Sequence, residues 1–345
     1  MKKRIVAYFL AANAIGIFFL WLAARDLPFG EIGPYLKQAD VAHLVLWSCV
    51  FVVVYSVCHL ARILRWDYLV QPLGEVETSA VNRASAVGFA AIILLPLRLG
   101  EFVRPSLLAR RSELSMTSLL ATAVVERVID GLFVTGLLFA TLVTYTGGHA
   151  TGFARTTGLI AAAIFVPALA VCSLALWRRD WALKLVDAIV RPISDKLADY
   201  GRDVLDNFIE GFTALADRGS LVGFLGMTVI YWVVNIISMW LLARFGFGFE
   251  IGVWDTATVI AILVIGIMIP AGPALTGNFE FFLTKGLALF VAIAAVGAEV
   301  AVFAALVHVL QFVVIVLPGF WVMWTDPAAR HLISISRDAQ EQIEN

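Results

Sequence analysis

Apolar positions in this 345-residue chain gather into long runs separated by short polar breaks. Six runs, at about 5–24, 41–61, 117–144, 157–177, 221–243 and 299–324, are long enough to cross about 30 Å of hydrocarbon at 1.5 Å per residue. Two others stop short. Residues 84–97 supply about 14 positions before Pro96 and Arg98, and residues 256–270 about 15 before Pro270-Ala271-Gly272-Pro273. Each leads into a second, moderately apolar piece, at 99–111 and 279–296. A helix interrupted by Pro and Gly at membrane depth is tolerated where it is buried in protein or lines a cavity, so both stretches read as re-entrant hairpins. Lys2-Lys3-Arg4 before Ile5–Ala24 has the outline of a secretory leader, but the run is of spanning length and Leu22-Ala23-Ala24 is a poor cleavage site. A retained first span is expected.

Composition supports a bilayer as the solvent. The chain is 61% apolar and 15% charged, against about 45–50% and about 25% in an ordinary globular domain. Mean hydropathy is +0.90. The net charge of −1 decides little, because placement of charge matters more than its sum. No Lys/Arg run exceeds Lys2-Lys3-Arg4, so nothing points to nucleic acid. Cys49, Cys58 and Cys172 all lie in apolar stretches and read as small hydrophobes.

Charge placement tests the topology. With a cytoplasmic N-terminus and two hairpins, 19 of the 25 Lys/Arg fall on the cytoplasmic side. Five (Arg25, Lys37, Arg155, Arg244 and Lys285) fall outside, and Arg127 lies within a span. This asymmetry obeys the positive-inside rule, and it weakens if 84–97 crosses fully. The expected fold is therefore an all-α integral membrane protein with six full spans, two re-entrant hairpins and both termini cytoplasmic. Each half, about 5–144 and about 157–324, reads span, span, hairpin, span. Three crossings per half make the halves an inverted repeat, the usual construction of secondary transporters; chance ordering of generic spans is the competing explanation. Residues 1–325 form a single polytopic domain. Between the halves, 178–218 carries apolar residues at three- and four-residue steps among charges, an amphipathic pair broken near Arg191-Pro192 on the cytoplasmic interface. It serves as a packing element or as a membrane-surface lever. Residues 326–345 form a short polar tail.

Three groups of residues carry candidate chemistry. In Pro96-Leu97-Arg98-Leu99-Gly100-Glu101-Phe102-Val103-Arg104-Pro105, a helical geometry puts Arg98, Glu101 and Arg104 on one face. Pro105 disfavours helix at Arg104. Charge in hydrocarbon costs at least about 2.5–3.5 kcal/mol per residue and needs partners or water. Two guanidiniums flanking one carboxylate either bind a phosphate bidentately or pin a hairpin tip. Next, Glu126 and Asp130 lie one turn apart beside Arg127. They either pair with Arg98 and Arg104 or carry a coupling proton. In the second hairpin, Thr276 or Asn278 caps the following half-helix, whose N–H groups offer a weak anion site, and Glu280 in its first turn suits the helix dipole. His59 and His308 are singletons on apolar segments, read as packed or interfacial. No metal spacing, phosphate-binding loop, nucleophile elbow or Asp-rich prenyl-diphosphate motif is found.

Pro96-Leu97-Arg98-Leu99-Gly100-Glu101-Phe102-Val103-Arg104, followed by Val125-Glu126-Arg127-Val128-Ile129-Asp130, resembles the membrane domain of the lysylphosphatidylglycerol synthase/flippase family. The resemblance spans roughly 5–325 and implies movement of an anionic or aminoacylated phospholipid, or a related lipid-linked headgroup, between leaflets. It implies that Arg98, Glu101, Arg104, Glu126, Arg127 and Asp130 line the first half of a headgroup cavity; on the hairpin reading above, Asn278 and Glu280 serve from the other side of the pseudo-symmetry axis. Phe279 stands where the family often has Arg before the Glu, which removes a positive charge. With the sequence ending at Asn345, no soluble aminoacyl-transferase domain is expected, nor aminoacylation of lipid.

The expected function is thus a flippase-like lipid transporter of a bacterial inner membrane, not an enzyme, with no cofactor and no metal. Its partners are membrane phospholipids, a second copy of the chain, or a separate lipid-modifying enzyme. The alternative is a membrane-embedded hydrolase or transferase acting on a lipid or polyprenyl phosphate. A scaffold anchoring a cytoplasmic partner through 180–217 is the third reading.

Overall fold

A computed structural model of the chain describes residues 2–25, 27–144, 150–177, 217–269 and 272–326, with scattered positions between 183 and 209. Among these residues every regular element is helical. The first half holds α1 (Lys2–Arg25), α2 (Phe29–Gln38), α3 (Val41–Leu64), α4 (Asp67–Val70), α5 (Thr78–Leu94), α6 (Val103–Ala109) and α7 (Met116–Thr144). The second holds α8 (Ala150–Trp177), α9 (Arg218–Leu241), α10 (Val253–Met268), α11 (Asn278–Leu287) and α12 (Ile293–Thr325).

Three helical stretches, 41–73, 218–246 and 295–325, are long and apolar enough to cross a membrane, and shorter apolar helices lie at 13–25, 78–94, 155–168 and 253–268. Their outward faces are greasy. Val53 and Val57 on α3, Val222 and Val229 on α9, and Leu317 on α12 are all at least half exposed. Trp321 and Trp324, 71% and 78% exposed at the end of α12, have the placement of an aromatic belt. Water would not tolerate such a surface, whereas lipid favours it. The protein is an all-helical, multi-pass membrane protein.

Both short apolar runs are interrupted where Pro and Gly stand. α5 ends at Leu94, a 3-10 stretch runs Pro96–Phe102, and α6 follows. α10 ends at Met268, and a 3-10 turn at Pro273–Leu275 leads into α11. One local expectation is corrected. Arg104 is helical, because Pro105 falls in the first turn of α6, where a missing N–H removes no helical bond. The loop after the first span contains α2 despite Gly30, Gly33 and Pro34, docked against α12. The amphipathic pair expected over 180–217 and the tail after Asp326 lie outside the described residues, apart from the scattered positions.

The halves pack reciprocally. α3 lies along α9, α5 along α12 and α10 along α7, so each interrupted helix leans on the last long helix of the opposite half. α11 packs between α10, α1 and α12. Two glycines permit these contacts. A Cβ on Gly100 would stand 2.1 Å from the Ile92 nitrogen, so the 3-10 stretch lies flush on the α5 backbone. Gly277, at φ +91°, would meet the Gly16 carbonyl oxygen at 1.9 Å, so the second break lies equally close to α1. Backbone cannot move aside as a flexible side chain can. Gly100→Ala is therefore expected to destabilise the fold by about 1–3 kcal/mol through overpacking, read as a lower unfolding midpoint in micelles. An unchanged midpoint would mean that the turn does not rest on α5.

Candidate functional site

Charged residues enter the interior from both sides of the first break. Arg65 closes α3, has no exposure, and is held by hydrogen bonds to three residues. It donates to both oxygens of Asp130, at 2.8 and 2.6 Å, to Glu126 at 3.0 Å, and to the Thr228 hydroxyl at 3.5 Å. Glu126, also without exposure, receives two further guanidiniums, Arg104 at 2.9 Å and Arg127 at 2.7 Å. Trp232 of α9 adds its indole N–H to Asp130 at 3.3 Å. The Arg104 guanidinium lies 4.3 Å above the Trp66 ring. Burying ions is tolerable only when each has partners of this quality.

Arg98 sits closer to open space. The residue has φ +58°, an unusual backbone for a side chain of this size. From there it donates to Glu101 at 2.8 Å and to the carbonyl of Ile267 at 2.9 Å, joining the first break to the end of α10. Glu101 also lies 3.8 Å from Arg127. Arg62, one helical turn before Arg65, stacks over Phe89 at 4.2 Å and lies 5.9 Å from the Tyr231 ring. No carboxylate among the described residues pairs with it.

A cavity opens in front of this group. The first half gives it Arg62, Arg98, Arg127 and Asp130, while α10 gives an apolar wall that includes Ile260, Leu263 and Val264. Leu275 and Phe279 from the second break and His308 from α12 complete it. Across the cluster, five guanidiniums (Arg62, Arg65, Arg98, Arg104 and Arg127) meet three carboxylates (Glu101, Glu126 and Asp130). Two positive charges are left uncompensated among the described residues.

Of the residues singled out in the sequence, Arg98, Arg127 and Asp130 reach the cavity wall. Glu101 bridges Arg98 and Arg127, and Arg104 and Glu126 stand behind them with almost no exposure. Arg98 and Arg104 do not clasp one carboxylate between them: Arg98 takes Glu101, and Arg104 takes Glu126. Asn278 is fully buried and donates to the carbonyls of Gly266 and Ile269, bracing the broken end of α10. Glu280 accepts from the Gly277 N–H at 2.7 Å and so occupies the α11 N-terminus itself. It also meets His308, which is neither solitary nor merely packed. Arg62 and Arg65 belong by sequence to the nineteen charges counted as cytoplasmic, whereas in the fold Arg65 is fully buried and Arg62 lines the cavity. Their signal is there in His59, Arg62 and Arg65, polar at every third position of an otherwise apolar helix end.

The chain matches the family described as the lysylphosphatidylglycerol synthase TM region over residues 9–319, and it belongs to that family. It is also 26% identical over 231 residues to a protein named glycosyltransferase AglD from the archaeon Haloferax volcanii. That similarity covers 60% of this chain and 36% of the relative, so the chain spans only about a third of the relative's length. No solved structure matches.

Because Glu126 is shared by three guanidiniums, Glu126→Gln strands buried positive charge. A loss of about 3–5 kcal/mol is expected, measured as a lowered unfolding midpoint. Arg62→Gln, which breaks no ion pair, is expected to stay within about 1 kcal/mol of wild type. Equal stability of the two variants would remove Glu126 from its central place.

Proposed function

We propose that this member of the lysylphosphatidylglycerol synthase membrane family carries an anionic lipid headgroup between leaflets. The observation that supports this most directly is the pair of uncompensated positive charges at the cavity, with Arg62 held only by aromatic faces. A phosphodiester or phosphomonoester supplies the missing negative charge. Arg62 and Arg98 are the proposed phosphate binders, because both line the cavity and neither is locked into the Glu126 centre. Guanidiniums suit that task through their paired donors and weak hydration. Glu101 and Asp130 orient Arg98 and Arg127 from behind, and Glu126 fixes Arg104 and Arg65. All three carboxylates are thereby engaged, which favours a plain anionic head over an aminoacylated one needing a free carboxylate. The apolar α10 wall is suited to the glycerol and acyl or polyprenyl part.

The transport frame belongs to the same proposal. The six crossings, the two breaks as re-entrant hairpins, the inverted repeat over residues 1–325 and the cytoplasmic termini rest on the apolar runs, the reciprocal packing and the charge asymmetry. A bacterial inner membrane is the proposed location. Membrane phospholipids, a second copy of the chain and a separate lipid-modifying enzyme are the proposed partners. A transferase acting on a lipid-linked phosphate is the second reading, favoured by the name of the archaeal relative alone.

Leaflet exchange of headgroup-labelled lipids in proteoliposomes tests both readings. Wild type is expected to exchange phosphatidylglycerol faster than lysylphosphatidylglycerol or phosphatidylcholine. Arg62→Gln and Arg98→Gln are each expected to slow exchange about tenfold or more, the effect of losing one charged hydrogen bond. Exchange indifferent to both arginines would sink the phosphate assignment. Turnover of a polyprenyl phosphate with no exchange of any lipid would put the transferase reading first.

A further inference from the structure

The second break holds a charge pair that the phosphate site does not use. His308 Nδ1 lies 2.5 Å from Glu280 Oε1, and His308 Nε2 lies 2.6 Å from the carbonyl oxygen of Ala274. A carbonyl has only lone pairs to offer, so Nε2 carries its hydrogen and donates it. A neutral imidazole then presents a lone pair at Nδ1. An ionised carboxylate at 2.5 Å would set lone pair against lone pair. The contact closes only with a second proton between Nδ1 and Oε1, as imidazolium with carboxylate or as imidazole with carboxylic acid. In either form the pair is neutral and holds one proton more than neutral His with ionised Glu.

This extra proton sits where it matters. His308 lines the cavity and stacks on Phe279, ring centroids 4.3 Å apart, and Phe279 lines the cavity too. Ala274, which His308 holds, has φ +59°, and Leu275 beside it has φ +58°. The Nε2 contact therefore ties down Ala274, the first of two non-glycine residues with positive φ at the tip of the break. Glu280 ties the other side of the tip through the Gly277 N–H.

The titratable groups sharing the cavity with the pair are Arg98 from the first break, Tyr55 and Arg62 from α3, Arg127 and Asp130 from α7, and Tyr231 from α9. On neighbouring elements, Arg83 of α5 approaches Asp326, and Asp255 of α10 accepts from the Gly252 N–H. Arg25 of α1 lies over Trp21, Lys285 of α11 over Phe281, and Glu299 of α12 is felt by Tyr35 of α2. Through His308 the pair shares its cavity wall with three of these arginines, Arg62, Arg98 and Arg127.

We propose that Glu280 and His308 form a proton-binding site whose occupancy is linked to that of the anion in the cavity. The phosphate identity of that anion rests on the function proposed above. Loss of the bridging proton leaves one negative charge on the pair and reduces the cavity's excess from two positive charges to one. An anion therefore binds better when the proton is present, and by reciprocity the anion favours proton uptake. Proton and headgroup therefore load together. No bond other than those to hydrogen changes.

Nitrogen NMR of ¹⁵N-histidine-labelled protein in nanodiscs of phosphatidylcholine tests this, with His308→Gln to assign the signal. The expected spectrum shows Nε2 protonated throughout, and an Nδ1 proton lost as pH rises. Glu280→Gln, which can donate an amide hydrogen to Nδ1, is expected to abolish that transition while keeping the fold. Inorganic phosphate is expected to move the wild-type transition to higher pH, and Arg62→Gln to cancel the movement. A His308 signal with no transition, or a transition that phosphate leaves in place, overturns the proposal. Lipid exchange is read separately. Exchange that changes up to about tenfold per pH unit, the slope of one linked proton, and flattens in Glu280→Gln supports it. Absence of exchange alongside a phosphate-sensitive transition overturns transport and supports the linked proton site.

Discussion

A carboxylate shared by three guanidiniums is the constraint to which the rest of this protein conforms. Glu126 has no exposure, and no helix facing lipid could present it, so α3, α6 and α7 must converge to supply Arg65, Arg104 and Arg127. Convergence at one point separates the helices elsewhere, and the space so made is the cavity. The ions also rank themselves. Those with two or three partners are fixed in place, whereas Arg62 and Arg98 are held by aromatic rings, a carbonyl and one partly exposed carboxylate. Fixed charge behind and adaptable charge in front is an arrangement suited to a ligand that must both arrive and leave.

Much of this was legible beforehand because length and hydropathy speak directly to a bilayer. The helices at 41–73, 218–246 and 295–325 and both interruptions follow from run length and from Pro and Gly. The pairings were less legible, since they depend on distance in space. Arg98, Glu101 and Arg104 are evenly spaced in the sequence, yet a 3-10 turn followed by an α turn sends them to different partners. Arg62 and Arg65 were assigned to the cytoplasmic surface by a rule that counts charge near helix ends, and that rule does not distinguish a charge facing water from one facing a protein interior. Removing Arg62, Arg65, Arg98 and Arg104 from the nineteen cytoplasmic charges leaves fifteen against five, so the asymmetry survives its own correction. His308 was misjudged for the same reason, its partner Glu280 lying 28 residues away on another helix.

Family membership and the packing bear on different questions. Membership fixes a membrane module seen over residues 9–319. The packing of α5 on α12 and of α10 on α7 says how such a module can enclose a site between its ends. The two breaks then contribute unlike groups to one space, Arg98 from the first and Leu275, Phe279 and the His308-bound turn from the second. Two similarly interrupted helices thus carry markedly different charge.

Arg98 carries a further consequence. Its φ of +58° suits glycine or asparagine far better than arginine. Backbone of this kind costs about 1–3 kcal/mol, offset here by bonds to Ile267 and Glu101. The position is thus one where conformational ease and usefulness pull apart. Selection for robustness alone, in a laboratory lineage freed from any demand for activity, would drift towards glycine there. Arginine at so uncomfortable a position gives the cavity wall a charge that glycine could not, at the expense of local backbone ease.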